Sequence, residues 1–182
     1  MRAVVIKAPH EIEVTTVDDP TPGPRDVVVQ VAACGICGTD LHILEGEFAP
    51  TLPVIPGHEF AGTVVAIGSD VSELAVGARV AVDPSLYCNE CHYCRIGKNN
   101  LCERWNAIGV SVPGGAAEFA IAPVANCVTL ADHIRLEDAA LLLGSKATIG
   151  KIRAGDSPAS VAASWAVDEA KWRLTRAKYL LY

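Results

Sequence analysis

No run of about 20 apolar residues occurs anywhere in this chain, which excludes a transmembrane helix of the usual kind. A basic patch is missing too. Lysine and arginine number 15 against 21 acidic residues, they are scattered, and the net charge is −6. That balance argues against nucleic acid or an anionic membrane surface as partner. Met1-Arg2-Ala3-Val4 leads straight into strand-like residues with no leader pattern, so a cytoplasmic location is expected. There is no internal repeat and no low-complexity tract.

What is present is enough apolar material, 51% of 182 residues, for one domain with room for an appendage. Seven cysteines are many for a cytoplasmic chain, and four of them fall between Cys88 and Cys102. In a reducing compartment, such clustering points to metal rather than disulfides, and the odd total argues against complete pairing.

The first 130 or so residues read as all-β. Short runs rich in Val, Ala and Ile lie at 2–7, 11–17, 27–33, 60–67, 78–82, 116–122 and 125–129. Gly, Pro and Asp punctuate them, and the pattern predicts a sandwich or a partly open barrel. Helices are predicted at about 39–45 and 136–143. The C-terminal stretch differs. Ser157 caps and Pro158 opens a helix in which Ala163, Val167, Ala170, Leu174, Ala177 and Leu181 form an apolar seam. Trp165, Trp172 and Tyr179 make a second stripe, so this helix either lies on its own domain or pairs with another copy.

Cys88, Cys91, Cys94 and Cys102 follow the spacing C-x2-C-x2-C-x7-C. Thiolates so spaced can turn around one ion, and the fourth closes a tetrahedron. With no open position, such a zinc is structural. Free thiols or local disulfides are the alternative. A second constellation lies upstream: Cys34-Gly35-Ile36-Cys37-Gly38-Thr39-Asp40-Leu41-His42, then Pro56-Gly57-His58-Glu59. Cys37 and His58 offer a soft thiolate and an imidazole to a catalytic zinc. Thr39 and His42 could carry a proton from a buried alcohol to solvent. Cys34 and Cys127 read as small core residues, and His10 and His133 as loop residues.

Cys37-Gly38-Thr39-Asp40-Leu41-His42, with Gly57-His58-Glu59 and the four-cysteine segment, resembles the zinc-containing medium-chain alcohol/polyol dehydrogenase family. Threonine, sorbitol and arabinitol dehydrogenases are most similar in this stretch, and the match covers about residues 1–143. The resemblance implies a GroES-like β-barrel domain, a catalytic zinc on Cys37 and His58 with Glu59 close by, and a proton relay through Thr39 and His42. It also implies a structural zinc on Cys88, Cys91, Cys94 and Cys102, in a lobe over 84–104. The complete family enzyme oxidises a small alcohol or polyol to a carbonyl with NAD(P).

Two departures from the family pattern set further expectations. Polyol-type members take a third zinc ligand from a helix reading A-A-L-x-E-P-L, but here that position is Leu143. Glu59 or Cys34 would then complete the site. There is also no G-x-G-x-x-G turn for a dinucleotide, and Pro158-Ala159-Ser160-Val161 stands where it would begin. The expected organisation is a catalytic domain over 1–143, a linker over 144–157 and an amphipathic helix over 158–182 in place of a nucleotide-binding domain. Such a chain is expected to be weak or inactive alone. The other reading is a non-enzymatic zinc scaffold that dimerises through the C-terminal helix.

Overall fold

The computed structural model describes residues 1–47 and 51–141. The linker, the C-terminal helix and position 143 of the sequence reading lie outside the described residues. In chain order the elements are β1 (Arg2–Ala8), β2 (Glu11–Thr16), β3 (Asp26–Cys34), α1 (Gly38–Glu45), β4 (Phe60–Ile67) and β5 (Arg79–Val82). They continue with β6 (Ser85–Leu86), α2 (His92–Arg95), β7 (Asn106–Ala107), β8 (Phe119–Pro123), β9 (Cys127–Thr129) and α3 (Leu136–Leu141).

Five strands form one antiparallel sheet in the order β8-β3-β4-β5-β9. The β3–β4 register slips between Val28 and Val29 and again between Val31 and Ala33. Bulges of this kind bend and twist a strand, and here they help curl the sheet into a partly open barrel. The β1–β2 hairpin closes onto it through bridges from Ala3 to Ala117 and from Ile6 to Val54.

Alternation along the strands sorts side chains into two layers. Val27, Val29, Phe60, Val64, Val80 and Val82, all fully buried, fill the concave side. Removing an aromatic ring such as Phe60 from water is worth about 1.5–3 kcal/mol. The neighbouring positions Ala61 and Ala81 face the other way and pack with Ile134, Ala139 and Ala140. Small residues there let α3 approach the sheet closely. The Arg79 guanidinium donates to the carbonyls of Ala131, Asp132 and Ile134 and so fixes the loop that leads into α3. A third cluster, Ile6, Ile43, Val54, Ala107 and Val110, seats α1 against the barrel.

The expected strands are present with shifted edges. Residues 116–118 belong to the β1 contact, where Val4 N–H donates to the Ala116 carbonyl, so β8 begins at Phe119. Residues 124–126 form a 3-10 turn that follows Pro123, which leaves only Cys127–Thr129 as strand. The short pair β6–β7 had no signature in the pattern. It ties together the two ends of the cysteine-rich segment.

Candidate metal centres

Cys37 immediately precedes α1, with extended backbone at φ −100°. The carboxylate of Asp40, one turn on, accepts the Cys37 N–H at 2.8 Å through Oδ2 and the Gly57 N–H at 3.2 Å through Oδ1. One side chain thus ties the start of the helix to the loop that enters β4. Gly57 takes φ +91°, and a Cβ there would lie 2.6 Å from the Cys34 sulfur and 2.8 Å from the Ala116 nitrogen. Gly109 and Gly114 press their backbones onto the Gly57 carbonyl, and a Cβ on either would come within 2.3 Å of it. Only glycine meets both demands at 57. His58 and Glu59 follow on this constrained turn.

As a result, ligand atoms of Cys37, His58 and Glu59 lie within 4.8 Å of one another. A thiolate, an imidazole and a carboxylate suit zinc, and three ligands leave a position open. The Nδ1 atom of His58 is buried without a hydrogen-bond partner and sits 3.5 Å from Asp40 Oδ1. A carboxylate beside one ring nitrogen is the usual way to orient a histidine whose other nitrogen meets a metal.

The site's electrostatics favour positive charge, here a proton on His58 that a metal would have to displace. Facing the Asp40 carboxylate, and despite its partial burial, His58 is raised to about 9. Asp40 is lowered although burial opposes ionisation, because His58 and the two backbone N–H groups favour its charge. The Cys37 thiol is lowered by the Thr39 backbone N–H against the effect of burial, with His58 adding to it. The Thr39 hydroxyl lies 3.7 Å from the Cys37 sulfur. His42 is exposed on the same helix and pairs with Glu47, Nδ1 to Oε2, at 2.6 Å. His42, Glu45 and Glu47 also converge, but all three are open to solvent. Cys34 stands apart from the Cys37 group: its thiol donates weakly to the Gly35 carbonyl, and burial pushes it up to about 11. Cys127 is buried in β9 and pushed up to about 12.

In the second centre, the sulfurs of Cys88, Cys91, Cys94 and Cys102 all lie within 4.8 Å of one another, and Cys88 and Cys94 are 3.9 Å apart. The edge of a zinc–thiolate tetrahedron with bonds of about 2.3 Å is about 3.8 Å. Backbone N–H groups already address the sulfurs: Cys91 N donates to Cys88 and Cys88 N to Cys102, each at 3.4 Å. The N–H groups of Glu90 and Cys91 hold the Cys88 thiol down at about 6, whereas burial among the other sulfurs drives Cys94 up to about 12. Four sulfurs so close cannot all ionise without a cation, and a bound metal resolves the conflict. Asn126 anchors the approach to this lobe by donating from Nδ2 to the carbonyls of Asp83 and Ser85 at 2.7 and 2.9 Å.

Beside the first centre lies a cleft of about 260 Å³ lined by Thr39, His58, Pro84, Trp105, Ala107 and Val110. Sequence reasoning gave no role to Asp40, to the glycine trio or to Trp105. An acidic residue three positions past a helix cap is a local sign of the Asp40 latch. The glycine packing and the position of Trp105 are tertiary and leave no local mark.

Comparison with known proteins gives the family. Residues 23–132 match the alcohol dehydrogenase GroES-like domain. The chain is 43% identical over 147 residues to an L-threonine 3-dehydrogenase of Saccharopolyspora erythraea, covering 78% of this chain and 43% of that protein. It is 41% identical over 142 residues to an alcohol dehydrogenase of Geobacillus stearothermophilus, covering 76% and 42%. A zinc-binding dehydrogenase from Sinorhizobium meliloti bound to NADP superposes with a TM-score of 0.76 at 42% identity, over 78% of this chain and 41% of that one. A cobalt- and zinc-bound alcohol dehydrogenase from Pyrobaculum aerophilum gives 0.73 at 33% identity, over 79% and 44%. The chain therefore spans less than half the length of the relatives it matches. Within that span, it belongs to the zinc-containing medium-chain alcohol/polyol dehydrogenase family and carries that family's GroES-like domain.

Proposed function

We propose that this chain is the substrate-side domain of a zinc-dependent, NAD(P)-linked alcohol dehydrogenase. The observation that carries the reading is the convergence of Cys37, His58 and Glu59 within 4.8 Å beside a cleft that Thr39 also lines. Cys37 and His58, with Glu59 in place of the family's usual third ligand, would hold the catalytic metal. When bound, zinc supplies Lewis acidity toward an alcohol and the nicotinamide supplies a hydride acceptor.

The chain's own groups do the rest. Thr39 Oγ1 receives the proton of the substrate hydroxyl and passes its own outward toward His42, which stands in solvent on the same helix. Asp40 orients His58 through the Nδ1 side of the ring. Pro84, Trp105 and Val110 keep water from the reacting centre. The four-cysteine centre is closed and serves the fold. Hydride transfer needs a nucleotide site besides these residues, so the chain by itself turns over weakly or not at all.

A scaffold role is the second reading, and the exposed apolar residues Val14 (73%) and Ile36 (86%) favour it by leaving carbon surface to be covered. The deciding experiment is zinc analysis of protein purified without chelator, alongside Cys37→Ser. About two zinc ions per chain, falling to one in the variant, supports the catalytic reading. One zinc in both proteins overturns it.

A further inference from the structure

Charge is divided unevenly along the chain. Residues 1–141 hold 8 basic and 18 acidic residues, a net charge of −10, whereas 142–182 hold 7 and 3, a net of +4. An anionic barrel thus carries a cationic C-terminal segment with an apolar seam. On the barrel, three exposed apolar side chains share one groove of about 270 Å³: Ile36, Leu41 and Ile12, which are 86%, 54% and 52% exposed. Val4 and Ile6 of β1 and Leu44 of α1 line it too. Asp40 also borders it, but its carboxylate is committed to the Cys37 and Gly57 N–H groups. Acidic residues stand at its margins: Glu11 and Glu13 flank Ile12 along β2, and Glu45 lies one turn past Leu41 on α1. We propose that residues 158–182 of the same chain dock in this groove, seam inward, and cover Ile12, Ile36 and Leu41.

The segment departs from beside the groove. Ala139 and Ala140 of α3 share a packed cluster with Ala33 of β3, and Ile36 is only three residues beyond Ala33, about 11 Å of chain at most. The 16 residues over 142–157 can extend to about 55 Å, ample to bring 158–182 back to that surface. The seam suits the groove in shape and in charge. Ala170 and Ala177 on either side of Leu174 keep the predicted helix slim enough for close approach. Lys171 and Lys178, three positions before and four after Leu174, share its side of such a helix and meet the acidic margins. A tether also favours the chain's own segment over one from a second copy, because it holds the segment at an effective concentration on the order of 1 mM.

The test uses the full chain with the photo-crosslinker p-benzoylphenylalanine in place of Leu174, irradiated at micromolar concentration. The link should map to residues 1–47 in a product of monomeric mass. Trypsin then reads how often the segment leaves the groove, since cleavage within 171–178 follows the undocked population. Ile12→Glu with Ile36→Glu should speed that cleavage by about tenfold. If this pair folds poorly, Glu11→Lys with Glu45→Lys changes only exposed charges and should speed it by about threefold, an effect that shrinks in high salt. A link in a dimeric product makes the occupant a second copy and overturns the inference. A link elsewhere on the barrel, no link, or cleavage as slow in the variants as in the parent overturns it as well. Zinc enters neither readout, so the loss of metal from Cys37 and His58 would sink the catalytic reading and leave this one standing.

Discussion

His58 and Asp40 face each other across 3.5 Å, Nδ1 to Oδ1, with both side chains nearly buried at 13% and 12% exposure. Asp40 also receives the N–H groups of Cys37 and Gly57. It therefore acts on both elements that carry the candidate ligands of the first centre. Asp40→Asn keeps the shape and one acceptor but removes the charge facing His58. Metal affinity at this centre should fall by about 10–100-fold, while stability drops by only about 1–2 kcal/mol. Competition with a chromophoric chelator measures the first and chemical denaturation the second. Unchanged affinity would make Asp40 a structural latch and nothing more.

Gly57→Ala should be a damaging single-methyl change. The backbone there is left-handed, and the new Cβ meets the Cys34 sulfur and the Ala116 nitrogen well inside contact distance. Left-handed strain alone costs about 1–3 kcal/mol, and the clash moves His58 off its turn. The variant should lose zinc at the Cys37 centre and keep it in the cysteine lobe. Cobalt substitution distinguishes the two, since a four-thiolate site and a mixed-ligand site absorb differently. Retention of both metals with unchanged stability would contradict this account.

The contrast between Cys88 and Gly57 shows what the sequence could and could not reveal. The lobe was legible because its four ligands lie within 15 positions and their spacing alone makes the chemistry. Cys37 and His58 could be singled out by residue type, but their pairing rested on a resemblance, since they are 21 positions apart. Strands were visible as Val-rich runs because half-buried sheets impose alternation. Their edges were not, because backbone partners such as Ala116 with Val4 are chosen by tertiary closure. The same holds for Trp105: an aromatic residue just past a cysteine carries no local sign that it walls a cleft.

Acid should weaken the fold partly through an exposed ion pair. Arg25 hydrogen-bonds Glu73 and, with a backbone N–H, pulls its carboxyl down from 4.5 to about 2. A depressed carboxyl pKa contributes stability that is present above the unfolded value and lost as pH falls through the folded one. The affected window is thus pH 4.5 down to about 2. Glu73→Gln should flatten the fall in melting temperature across that window and leave neutral pH almost unchanged. Because the pair is exposed, the difference should be small and should shrink further in high salt. A variant whose acid profile is as steep as the parent's would assign the loss to other groups.

Cys94→Ser should uncouple the lobe from the barrel. Three thiolates bind zinc far less well than four, so the lobe metal should leave first on dialysis against chelator. The barrel core built on Phe60, Val64 and Val82 does not depend on that metal and should keep its strands. Hydrogen exchange should rise over 88–105, while β3, β4 and β5 stay protected. Trp105 is the sensitive reporter, since its backbone N–H donates to the Cys102 carbonyl at 3.2 Å. When the lobe loosens, the indole should leave the cleft mouth. Its fluorescence, read with Trp165 and Trp172 replaced by Phe, should then shift to the red. A red shift with intact zinc at Cys37 and His58 would mean that the closed centre shapes the open one. No shift would place Trp105 under the control of the barrel alone.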